Sequence, residues 1–247
     1  MLPEHFEKVS AASTMRPNPR LADLPAIDCW IFDLDNTLYP ASSDLFGLID
    51  ARMTAYVARV TGLPAQEALA LQKRYFHAHG TTLSGLMANH GVDPHHFLED
   101  VHTIEMDVLA EDRRLVEAIA RLPGRKLVFT NGDGAYARRV LGRLGLGDSF
   151  EAIHDIHACA YRPKPEAASY ASLLDTLAID PRRALFAEDM ARNLKPAKAL
   201  GMTTLWVDNG SEQGGSEQAG EVATPEHVDY RTADLGEWLA ELHEERA

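Results

Sequence analysis

Two carboxylates separated by one leucine, Asp33-Leu34-Asp35, close the apolar run Cys29-Trp30-Ile31-Phe32. Burying either carboxylate is costly unless something compensates it. Three later segments hold candidates. Thr130-Asn131-Gly132 follows the apolar stretch ending at Phe129, Lys164 sits between Pro163 and Pro165, and Glu188-Asp189 follow Ala184-Leu185-Phe186-Ala187. The acids Asp33, Asp35, Glu188 and Asp189 outnumber Lys164 by three charges, a balance that would repel a phosphate dianion. One divalent cation would bring the net charge to −1, and protonating Asp35 would bring it to zero. Oxygen-only donors suit Mg²⁺, which commonly sits on one or two carboxylates, waters and substrate phosphate. The acids thus imply a hard metal, and the metal implies a phosphoryl substrate.

The surrounding pattern shows how such residues could be brought together. Cys29 to Phe32 has no polar alternation, as in a strand buried on both faces of a parallel sheet. Strands are also expected over 126–130, 152–158, 184–189 and 203–208, and near Val228. Helical spacing falls between them, at Ala137, Val140, Leu141 and Leu144, then at Ala167, Tyr170, Ala171 and Leu174. A short helix to about residue 200 is expected to carry Pro196 in its first turn, with Asn193 as a capping residue before it. A helix over 232–245 closes the chain. This alternation indicates βαβ units and a Rossmann-like α/β core. Ligands of such sheets bind at the carboxyl ends of the strands, where Asp33, Thr130 and Glu188-Asp189 fall.

Between the first two strands the period is helical throughout. Leu45, Ile49, Met53 and Val57 mark one helix, Pro64 opens a second running to about His79, Thr82 to Asn89 makes a third, and Asp93-Pro94 starts a fourth. A further helix through Leu115, Ile119 and Leu122 is stopped by Pro123-Gly124. The expected organisation is therefore a polar, poorly ordered lead-in over 1–24, a core formed by 25–40 and 122–247, and a helical cap over 41–121. The low-complexity stretch 209–224, with its repeated Gly-Ser-Glu-Gln, reads as a surface loop.

The chain has 247 residues, 45% hydrophobic and 25% charged, with a formal net charge of −13, so it reads as globular and repels nucleic acid and anionic membranes. Two cysteines give no disulfide framework, and Cys29 reads as a buried thiol. The first twenty residues lack the apolar core of a secretory leader, and no window approaches a membrane span. A cytoplasmic location is the expectation.

The four segments together resemble the signature of the haloacid dehalogenase (HAD) superfamily. Asp33-Leu34-Asp35-Asn36-Thr37-Leu38 is similar to its first motif, Thr130-Asn131-Gly132 to its second, Lys164 to its third-motif lysine, and Glu188-Asp189 to its fourth-motif acidic pair. They occur in the family's order over about residues 25 to 208, and the cap falls at the family's C1 position. The resemblance implies that Asp33 is a nucleophile and Asp35 a general acid and base. It implies that Thr130, the Asn131 amide and Lys164 bind the phosphoryl group. Mg²⁺ would rest on Asp33, Asp189 and the backbone carbonyl of Asp35, with Glu188 in or next to its ligand set. A carboxylate at Asp35 argues against the dehalogenating branch. Asp-Leu-Asp-Asn-Thr-Leu-Tyr-Pro, the cap stretch 80–97 and Arg-Pro-Lys-Pro-Glu resemble the pyrimidine 5'-nucleotidase branch and its bacterial relatives. The partner implied is a small phosphorylated metabolite, a nucleotide first. A sugar-phosphate, phosphoglycolate or generalist phosphatase is the alternative, and a non-catalytic phosphate-binding module the reading from another class.

Plainer readings exist for each residue. Asp35 and Thr130-Asn131-Gly132 would serve as turn residues, Lys164 as a solvated loop lysine and Glu188 as a surface acid. Six of the eleven histidines lie in the cap, at 77, 79, 90, 95, 96 and 102, with no standard zinc spacing. Lys73, the only cap lysine, reads as a solvated helix residue rather than a Schiff-base lysine of the phosphonoacetaldehyde-cleaving kind.

Overall fold

The computed structural model describes residues 18–211 and 223–243. Its core is a six-stranded, all-parallel sheet of β1 (Cys29–Phe32), β2 (Arg125–Phe129), β3 (Ala152–His154), β4 (Ala184–Glu188), β5 (Thr203–Val207) and β6 (Tyr230–Thr232). The spatial order is β3-β2-β1-β4-β5-β6. Successive side chains of a strand point to opposite faces. Trp30 and Phe32 accordingly enter one apolar layer and Cys29 and Ile31 the other, all four buried. That double burial is why β1 shows no polar alternation. The Trp30 indole still finds a partner, donating to the Pro123 carbonyl at 2.9 Å.

The insertion after β1 holds α1 (Leu45–Thr61), α2 (Ala65–His79), α3 (Thr82–His90) and α4 (Pro94–Val101). The expected caps are present: Gly62 closes α1 in the left-handed region, and the Asp93 side chain accepts from the His95 amide at the start of α4. α1 packs on α2 and α4, and α2 on α3. α5 (Arg113–Arg121) behaves differently. It packs on α9 (Leu235–Glu241), and Arg114 pairs with Asp234. Its main packing partner is thus a helix from the end of the chain and not one of α1 to α4. α5 stops where expected, at Pro123-Gly124. Gly124 has φ +76°, and a Cβ there would lie 2.2 Å from the Asp28 carbonyl oxygen.

The remaining helices are α6 (Gly134–Arg143), α7 (Ala167–Leu177) and α8 (Ala191–Leu200). Four expectations need correction. The strand over 152–158 ends at His154, because the Asp155 carboxylate accepts from the Ala158 and Gly134 amides and turns the chain. Pro196 lies inside α8, not in its first turn. Its ring removes one helix hydrogen bond, while burial of Ala191, Leu194 and Ala197 against the sheet holds the helix. Asn193 is therefore a buried helix residue and not a cap. The last strand begins at Tyr230 and α9 at Leu235, since Thr232 is spent on the edge of the sheet. Of the lead-in, residues 1–17 lie outside those described. Residues 18–24 are anchored, with Asn18 donating to Glu241 at 2.6 Å and the Leu21 amide to the Leu242 carbonyl at 2.9 Å. Most of the 209–224 stretch also lies outside the described residues. No described helix is long and apolar enough to cross a membrane.

Candidate active site

Strand register assembles the site. Phe32 is level with Val128 on one side and Ala187 on the other, so Asp33 emerges beside Phe129 and Glu188. From β1 the chain builds outward to β2 and β3 on one side and to β4, β5 and β6 on the other. The carboxyl end of β1 is thus the switch point of the sheet, where a crevice opens. Leu34 turns into the apolar core, fully buried, and so separates the two aspartates.

Asp33 is 6% exposed. Lys164, 1% exposed, reaches it from the loop before α7 and donates to its Oδ1 at 2.6 Å. The same ammonium donates to Glu188 Oε2 at 2.6 Å and to the Phe129 carbonyl at 2.9 Å. All three N–H donors are therefore used. Lys164 is no solvated loop residue, and Glu188, 1% exposed, is no surface acid. Asn131 places the lysine by clasping its backbone, accepting from its amide at 2.8 Å and donating to its carbonyl at 3.3 Å. Thr130 is buried beneath this loop, its Oγ1 accepting from the Gly132 amide at 2.9 Å. Asn131 and Gly132 line the cavity above.

The charges remain unbalanced. Burial first, then the Glu188 charge, push Asp33 up to about 7 against the opposing pull of Lys164. Asp189 is held well above the usual carboxylate range by burial and by the charges of Glu188 and Asp33. Burial lowers Lys164, but Asp33 and Glu188 outweigh it and raise the ammonium. One lysine does not satisfy three buried carboxylates. Asp33, Glu188 and Asp189 each offer an oxygen within 4.8 Å of the others, a hard donor set that fits a magnesium-sized cation. Both oxygens of Glu188 are engaged, Oε2 accepting from Lys164 and Oε1 from the Met190 amide at 3.3 Å.

Asp35 sits in different surroundings, where the sequence motifs gave no partner. Tyr39 and Tyr136 both donate to its Oδ1, each at 2.6 Å. Both phenols are raised well above their ordinary value by burial and then by the Asp35 charge, so they stay donors. Thr37 donates to Asp33 Oδ2 at 3.2 Å. Tyr39 and Thr37 each lie four residues beyond the aspartate they serve, a spacing visible in the motif. Tyr136 lies 101 positions from Asp35, and only the fold joins them.

Above these groups is a cavity of about 570 Å³, lined from below by Asp33, Asp35, Asn131 and Lys164 and from the cap by Phe46, Lys73 and Phe76 among others. Lys73 is half-exposed and pairs with Asp50 at 2.7 Å. The cap histidines go to separate partners: His90 to Tyr75, His96 to Tyr56, His95 to Tyr161 and His102 to Asp133. The only acidic, histidine or cysteine cluster suited to a metal among the described residues is that of Asp33, Glu188 and Asp189.

Comparison with known proteins gives the fold and the family. Phosphate metabolism protein 8 of Saccharomyces cerevisiae is 29% identical over 206 residues, covering 74% of this chain and 63% of that protein. Enolase-phosphatase E1 of a Shewanella strain is 28% identical over 101 residues, covering 40% of this chain and 45% of that protein. The matches thus span less than two thirds of either relative's length. Among solved structures, a HAD phosphatase from Thermococcus onnurineus superposes with a TM-score of 0.53 at 17% identity, covering 83% of this chain and 93% of the other. A HAD hydrolase from Bacillus subtilis, solved bound to magnesium, gives 0.53 at 16% identity, covering 87% and 98%. At these identities the likeness establishes the fold. The model of the haloacid dehalogenase-like hydrolases matches residues 27–201, and the chain belongs to that family of hydrolases.

Proposed function

We propose that this hydrolase is a Mg²⁺-dependent phosphomonoesterase that works through an aspartyl-phosphate on Asp33, with pyrimidine nucleoside 5'-monophosphates as its preferred substrates. The observation that carries the reading is the division of the two aspartates: Asp33 is buried against Lys164 and the acidic cluster, while Asp35 is held by two phenols on one oxygen. Two carboxylates in unlike surroundings can take unlike roles.

A carboxylate oxygen of Asp33 attacks phosphorus, and the ester P–O bond breaks. The departing oxygen takes the proton of the Asp35 carboxyl. Tyr39 and Tyr136 occupy Oδ1, which leaves Oδ2 to carry that proton. Water then attacks the phosphoryl group, Asp35 takes a proton from it, and the bond to Asp33 breaks to release inorganic phosphate. Thr130 retains its own O–H to donate to a phosphoryl oxygen, alongside the Asn131 amide, and Lys164 keeps charge off the nucleophile. Asp33, Asp189 and the Asp35 carbonyl would hold Mg²⁺, with Glu188 tied to Lys164 beside them. When bound, the cation supplies charge neutralisation at the phosphoryl oxygens.

The phosphatase reading is supported by the names of the two curated relatives. The nucleotide preference rests on the resemblance of the cap stretch 80–97 and on a cavity large enough for a ring. A panel of phosphomonoesters with purified protein tests both. Release of phosphate that stops in excess EDTA is the expected result, and turnover unaffected by EDTA refutes the metal-dependent mechanism. UMP and CMP hydrolysed no faster than AMP or sugar phosphates would move the substrate to the sugar-phosphate class.

A further inference from the structure

Arg192 stands in the first turn of α8, just after the acidic pair, and lines the same cavity. Its guanidinium lies 4.4 Å from the centre of the Phe76 ring, which belongs to α2 of the cap, so the contact crosses from core to cap. A guanidinium has five N–H donors. Among the described residues Arg192 meets no carboxylate, its buried Nε has no partner, and its one polar contact is a weak one from Nη2 to the Met190 sulfur at 3.9 Å. Most arginines among the described residues are spent. Arg125, Arg143, Arg183 and Arg231 pair with acids, and Arg139 donates to the carbonyls of His102 and Ile104. A half-buried arginine with open donors beside a reaction centre is the exception, since buried polar groups are normally satisfied.

We propose that Arg192 is a specificity-determining residue that donates to oxygen acceptors on the leaving group of the substrate, with Phe76 holding the guanidinium plane. The inference rests on the phosphatase reading above and deepens it. The cavity of about 570 Å³ exceeds what a two-carbon acid phosphate fills, so a flat ring bearing carbonyl oxygens is the favoured class. A planar fork suits coplanar acceptors, which a lysine point charge does not match. The phosphoryl end is held separately, by Asn131, Thr130 and Lys164. Arg192 therefore acts on which ester binds and not on bond breaking.

The test is Arg192→Leu against three esters: UMP, with ring carbonyls, phosphoglycolate, with a carboxylate, and phenyl phosphate, with no distal acceptor. The expected result is a fall of roughly tenfold or more in kcat/KM for UMP, carried by KM, as for a site built to hydrogen-bond its ligand. Phenyl phosphate should stay within about twofold of the wild type, and inhibition by inorganic phosphate should not move. A fall confined to phosphoglycolate would keep Arg192 as the acceptor-binding residue and change the acceptor to a carboxylate. Equal losses on all three esters, or no loss on any, would overturn the proposal. Should Arg192→Leu fail to fold, Arg192→Lys supplies the same comparison, because it keeps the charge and loses the fork. Wild-type protein that hydrolyses none of the three refutes the phosphatase reading itself, a result distinct from normal turnover with unchanged discrimination.

Discussion

The floor and the roof of the cavity are built on opposite plans. On the floor the charged groups around Asp33 and Asp35 are locked by others. Lys164 spends all three donors, Asp33 accepts from Lys164 and Thr37, and Asp35 accepts from two tyrosines, all at the ends of a sheet buried on both faces. On the roof, Lys73 and Asp50 pair at a half-exposed helix surface, and Phe76 packs on Arg192, which reaches up from the core with donors to spare. Low dielectric makes each floor contact strong and each loss costly, whereas water screens the roof. On the proposed function, the difference separates chemistry, which needs fixed atoms, from selection, which tolerates adjustment.

The largest test of that contrast is Asp33→Asn. An amide oxygen is a poor nucleophile, so phosphate release should fall by on the order of 10³-fold or more, the scale of removing a covalent nucleophile. Near-normal turnover in an endpoint assay would end the aspartyl-phosphate route. Next is Lys164→Met. It leaves buried carboxylates without their cation, and urea denaturation should show a loss of about 3–5 kcal/mol. A loss under about 1 kcal/mol would mean that water reaches the floor as it does the roof. Magnesium should do the reverse. At about 100 times its dissociation constant, binding to the folded state alone raises stability by about 2.7 kcal/mol, and EDTA should remove the gain. Calorimetric melting with no response to Mg²⁺ would remove the cation from the acidic cluster.

Smaller effects probe the two walls separately. Tyr136→Phe deletes one donor to Asp35 and keeps the ring that stacks on His102. It should cost about 1 kcal/mol in stability and lower kcat with little change in KM. A change in KM alone would place Tyr136 in binding. The least effect belongs to the roof. Lys73→Gln should shift stability by no more than about 1 kcal/mol, and borohydride added with substrate should trap nothing on the wild-type lysine. Covalent capture at Lys73 would give the cap a chemical role and erase the contrast.

Much of the floor was legible in residue order. Asp33, Asp35, Thr130, Lys164 and Asp189 are short-range signals: an acid, threonine or lysine at a strand end or loop whose own neighbours mark it. The four central strands, β1, β2, β4 and β5, were visible because double burial in a parallel sheet leaves apolar runs. The edges were less so. β3 stopped early because the Asp155 side chain won over the strand, and α8 accommodated Pro196 because packing outweighed one missing hydrogen bond. Asn193 was read as a cap because the helix start was placed too late.

Residue order determined the chemical parts list, the parallel core and the helical insertion, since these follow from periodicity and from local turn and cap chemistry. Tertiary structure alone decided which parts touch. It placed Tyr136 on Asp35, the Lys164 ammonium between Asp33 and Glu188, α5 on α9, and Arg192 under Phe76. Those contacts join residues far apart in the chain. Strand register and the seating of the cap set their distances, and both are properties of packing that no local stretch of residues encodes.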